Sequence, residues 1–148
     1  MRGHHMPPLN EFHLLVGETI MYCQCIENDV KWIYSGMLEG NHVENFANLE
    51  KDKLTLGMVL KQLKKLDNSD RNPYLDEKDY KLLKQITDIR NHLAHNIYLT
   101  FIYYEGQERS DTFTRQYRRL INDHNRLYKL RNSIEQVRLD VLRKYGRI

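Results

Sequence analysis

The side chains best suited to chemistry fall in one octapeptide, Asp88-Ile89-Arg90-Asn91-His92-Leu93-Ala94-His95. An imidazole exchanges protons near neutral pH. A guanidinium presents a planar fork of donors to phosphate or carboxylate oxygens. The segment therefore joins proton-transfer groups to an anion-binding one. On an ideal helix, Asp88, His92 and His95 fall within about 60° of one another. Their spacing of four and three offers a second chemistry, a metal ion held by one carboxylate and two imidazoles. Arg90 lies about 140° from His95 on the same wheel. Those two residues can act together only if the arginine side chain wraps, the helix distorts, or two copies of the helix face each other about a two-fold axis.

Other catalytic signatures are missing. The chain has no Gly-rich phosphate loop, no nucleophile elbow and no His-Glu-x-x-His. Its two cysteines, Cys23 and Cys25, lie on roughly opposite sides of one predicted helix and cannot bridge each other. They read as reduced, partly buried thiols of a cytosolic protein.

The formal charge of +3 conceals a division. Residues 1–114 hold 13 basic and 17 acidic residues, whereas residues 115–148 hold 10 basic and 3 acidic ones. A balance of −4 is thus followed by one of +7. Arg118, Arg119 and Arg126 stand in the basic quarter, which either binds phosphate backbones or forms the solvated face of a long helix. His42, His124 and the ten tyrosines offer stacking groups for a nucleic-acid-binding module without catalysis, with Tyr103 and Tyr104 the best placed.

These residues need elements to position them, and the elements are helical. With 7 glycines and 3 prolines in 148 residues, the chain lacks the turns of a multi-stranded β domain. No apolar run is long enough to span a membrane. Residues 1–5 have no apolar core of a signal peptide and read as the remnant of an expression tag. The fold class expected is all-α, a bundle of four to five helices with long N- and C-terminal members. Residues 1–8 form a disordered N-terminus and residues 9–148 one domain.

A first helix is predicted from an Asn10 cap to Met37, along Leu15, Tyr22, Ile26, Val30, Ile33 and Met37. Residues 41–52 are weakly patterned and hold at most a short helical turn. A second helix spans 55–66 with Leu56, Val59, Leu60, Leu63 and Leu66 inward, and Asp67-Asn68-Ser69-Asp70 breaks it. A third starts near Asp76 and carries Leu82, Ile86, Ile89, Leu93 and Ile97, flanked by Leu83, Ala94, Tyr98 and Phe101. So wide an apolar face implies a central place in the bundle or burial by a partner. Residues 97–104 fit helix or strand. A last helix, from Ser110 or Asp111 to about Tyr145, would be on the order of 50 Å long. That length calls for another long helix or a second subunit beside it.

Arg90-Asn91-x-x-x-His95 resembles the Arg-x4–6-His signature of the HEPN superfamily, in which a polar residue often follows the arginine. HEPN domains are bundles of four or five helices with the motif on a late helix, so the resemblance extends to most of the chain at fold level. It implies RNA cleavage without metal or other cofactor, at a composite site on a homodimer. His95 would be the general base on the ribose 2′-hydroxyl or the acid to the leaving 5′-oxygen. Arg90 would hold the scissile phosphate, and Asn91 would orient it or a catalytic side chain. His92, Tyr98, Arg118, Arg119 and Arg126 would contact RNA. Many HEPN proteins are cytoplasmic toxins of toxin–antitoxin or phage-defence systems. Their partner is often a nucleotidyltransferase-like antitoxin that modifies a tyrosine two positions beyond the histidine. Here Ile97 occupies that position and Tyr98 follows it.

Overall fold

The structure is a computed structural model and describes residues 8–103 and 111–148. Thirty residues, Pro8–Met37, form α1. It already includes Pro8, so Asn10 lies inside the helix rather than capping it. Phe12, Val16, Cys23, Ile26, Val30 and Ile33 face inward, and Leu15 of the expected stripe is only partly covered.

After α1, a full helix α2 (His42–Lys51) replaces the expected turn. The Asn41 side chain accepts from the backbone N–H groups of Val43 and Glu44, which starts it. Phe46 then stacks on Trp32 of α1 with ring centroids 4.0 Å apart. Helix α3 (Leu56–Asn68) extends two residues into the predicted break, to Asn68, and the chain turns at Ser69-Asp70; Asp67 is buried and serves the loop beyond it. The Asp67 carboxylate accepts from the N–H groups of Tyr74 and Leu75 and from the Tyr80 hydroxyl. Helix α4 (Glu77–Asn91) opens with a capping box between Asp76 and Asp79.

The chain past α4 is neither regular α-helix nor strand. One π turn, His92–Asn96, is followed by a 3-10 turn, Tyr98–Thr100. Helix α5 (Asp111–Lys144) ends the fold. Five α-helices and no strand occur among the described residues. Tyr104 and the predicted 105–107 break lie outside the described residues, as do the Ser110 cap and the tag-like start.

The two long helices pair within one chain, and they run parallel. Phe12 meets Phe113, Tyr22 meets His124, Asp29 binds Arg138, and Leu142 sits against Gly36. A Cβ on Gly36 would lie 2.9 Å from Leu142 Cδ2, so a larger residue there would require the leucine side chain to shift. Helix α1 carries the other elements around it and is the central member, where the apolar width of α4 had pointed to α4. Ala94 is in fact exposed and Leu82 only partly covered.

Candidate functional site

Three helices meet around the octapeptide. Helix α4 runs antiparallel to α1, pairing Arg90 with Glu27 and Tyr98 with Phe12. It also runs antiparallel to α5, pairing Gln85 with Arg126 and His92 with Gln116.

The helix distorts between the two residues of the motif. Ile97 N–H donates to His92 C=O at 2.8 Å, an i→i+5 bond in place of the α-helical i→i+4 bond. Such a turn holds about one residue more, so each residue advances by roughly 80° instead of 100°. The angle between Arg90 and His95 falls from about 140° to about 80°. The same unwinding moves His95 to roughly 120° from His92. It thereby breaks up the shared face of Asp88, His92 and His95. Among the described residues, no group of three or more His, Cys, Asp or Glu side chains could hold a metal ion. Within one chain, Asp88, His92 and His95 therefore do not come together as metal ligands.

Arg90 reaches toward α1, where its Nη1 donates to Glu27 Oε2 at 2.6 Å. Glu27 is also 3.8 Å from Lys31 Nζ. His92 turns to α5, and its Nε2 must be the donor to Gln116 Oε1, 3.0 Å away, because that oxygen can only accept. Asn91 and His95 are exposed, and His95 has no hydrogen-bond partner among the described residues.

Beneath this segment lies a polar seam that sequence reading missed. Cys23 of α1 is fully buried, and burial pushes its thiol up to about 11 against the lowering field of Arg90. Asp123 of α5 is 7% exposed. Burial raises its carboxyl above the ordinary range, although Arg126, Arg119 and His92 act to lower it. Glu27 and Asp123 bring acids to the motif from sites remote in sequence. The one available signal was an acid on the inward face of each helix.

The remaining predicted contacts are scattered. The Tyr98 hydroxyl bonds His13 Nδ1 at 2.7 Å, and its ring packs edge-on against Phe12. Arg118 is exposed, and Arg119 lies 3.9 Å from Asp123. Arg126 donates to Gln85 and lies 3.6 Å from Asp123. Tyr103 is 84% exposed. Part of the basic charge of the C-terminal quarter is used internally, by Arg138 on Asp29, Lys144 on Asp70, and Arg147 on the carbonyls of Gly36 and Leu38.

No helix is long and apolar enough to cross a membrane among the described residues. Comparison with protein-family models, with curated proteins and with solved structures finds no match for this chain.

Proposed function

We propose that this chain is a HEPN-type, metal-independent endoribonuclease, the toxin of a toxin–antitoxin or phage-defence pair. It acts in the cytoplasm as a homodimer and is held in check by a nucleotidyltransferase-like antitoxin. The observation that carries this reading is the π turn at His92–Asn96, which brings the Arg90 and His95 positions toward one side of the helix. π turns of this kind are frequent at functional sites.

In the proposed reaction the ribose 2′-hydroxyl attacks the adjacent phosphorus and gives its proton to His95. The bond from phosphorus to the 5′-oxygen breaks, and that oxygen receives a proton from the His95 of the second copy. Arg90 neutralises the charge that builds on the phosphate. Asn91 orients the phosphate. The products are a 2′,3′-cyclic phosphate and a 5′-hydroxyl. Exposure of His95 and Asn91 leaves both open to substrate and to a second subunit.

The test is cleavage of RNA in EDTA. Arg90→Ala and His95→Ala each abolish it, while helicity and dimer mass stay unchanged. Cleavage that survives both substitutions removes the assignment. A second reading, an RNA-binding module without catalysis, is favoured by the Arg90–Glu27 ion pair, which occupies the anion-binding group. That reading prevails when RNA is bound but never cut, and affinity falls on neutralising Arg118, Arg119 and Arg126.

A further inference from the structure

We infer that the furrow between α4 and α5 is a track for the backbone of single-stranded RNA, an inference that rests on the RNA-directed reading above. Its lining residues come in nearly equal numbers from the acidic part of the sequence and from the basic C-terminal quarter. On the wheel of α4, Lys78, Lys81, Gln85 and His92 lie within about 60° of each other, one stripe facing α5. From Lys78 to His92 the stripe is on the order of 20 Å long.

An open groove of about 560 Å³ lies along this stripe. Lys78 and Lys81 stand on one wall, Arg126 and Lys129 on the other, with Leu82 and Leu130 between them. Arg126 Nη2 donates to Gln85 Oε1 at 3.2 Å, so the two walls meet at that point and an entering strand must displace this bond. Three acids adjoin it. Asp79 accepts from the Asp76 N–H in the capping box, Asp123 lies 3.6 Å from Arg126, and Asp88 is exposed one turn beyond Gln85, outside the lining. Lys78, Lys81 and Lys129 are exposed and, among the described residues, in no ion pair. Three lysines without an ion pair flank apolar side chains beside the Asp123-paired Arg126, a pattern that matches alternating phosphates and bases. Beyond the groove the stripe reaches His92, which bonds Gln116 of α5, whereas Arg90 turns to α1.

The probe is a short 2′-O-methyl oligouridine, which lacks the attacking hydroxyl and cannot be cut. Its binding is read by fluorescence anisotropy across a salt series. Lys78→Ala/Lys81→Ala/Lys129→Ala is expected to weaken binding roughly tenfold or more at about 0.1 M salt. It should also reduce the slope of log affinity against log salt by about 2. Lys61→Ala/Lys65→Ala/Lys84→Ala removes equal charge from the neighbouring furrow between α3 and α4 and should change affinity less than about twofold. The track is overturned by equal losses in the two variants, or by unchanged binding in the first. Wild-type protein that binds anionic lipid vesicles but not the oligouridine overturns it too. Wild-type protein that binds through the groove yet never cleaves natural RNA upholds the track and overturns the nuclease. Cleavage with unchanged binding in the first variant does the reverse.

Discussion

Arg90 on α4 and Glu27 on α1 are joined at 2.6 Å across 63 residues of sequence. Their side chains are 34% and 18% exposed, so solvent screens this pair less than a surface ion pair. The contact fixes the resting position of the Arg90 guanidinium against α1.

That pairing predicts measurable coupling. Glu27→Ala is expected to cost about 1–2 kcal/mol of stability in urea denaturation, since it leaves Arg90 half-buried without its acceptor. In a double-mutant cycle with Arg90→Ala, the interaction should amount to about 1 kcal/mol. Strict additivity would show that the contact is energetically idle.

Asp67 predicts a larger loss. Its carboxylate, 1% exposed, accepts from two backbone N–H groups and the Tyr80 hydroxyl. Asp67→Ala orphans all three donors and should cost about 3 kcal/mol. Tyr80→Phe removes one of them and should cost about 1 kcal/mol. Equal effects from the two variants would contradict this assignment.

The cysteines differ in burial. Cys23 is fully buried with its thiol near 11, whereas Cys25 is partly exposed. Thiolate is the reactive species. Titration with a chromogenic disulfide near pH 8 should therefore modify Cys25 promptly and Cys23 only after denaturant is added. Simultaneous modification in the native state would mean that the seam around Cys23 opens.

Asp123 predicts a pH dependence of definite sign. Burial raises its carboxyl, so the fold favours the neutral acid over the carboxylate. Its contribution to stability is greatest below the ordinary carboxylate range. It declines as pH rises from about 4 toward the raised folded value, then levels off. Asp123→Asn stays neutral throughout. The urea midpoint of the variant, relative to that of the parent, should rise across this window. A constant difference would locate the ionised carboxylate in solvent.

The spacing of apolar residues was enough to predict most of α1, α3, α4 and α5, because Val59, Leu63, Ile86 and Ile134 repeat with helical period on strongly amphipathic segments. Helix α2 was hidden, since its only buried residue is Leu49 and its support comes from the Asn41 cap and the Trp32–Phe46 stack. The reach of α3 past Leu66 was hidden too, because a buried Asp67 resembles a turn residue until the donors facing it are known.

By itself the sequence determined an all-α chain with long terminal helices, and it concentrated the reactive side chains in one octapeptide. Local spacing is sufficient for both, since helix formation and residue identity need no distant partner. Only the tertiary structure decided the parallel pairing of α1 with α5, the partners of Arg90 and His92, and the π turn that separates His95 from Asp88 and His92. Those outcomes depend on which helices lie side by side. A 63-residue separation between Arg90 and Glu27 leaves no periodic trace in the chain, and an i→i+5 bond is chosen by the packing around it.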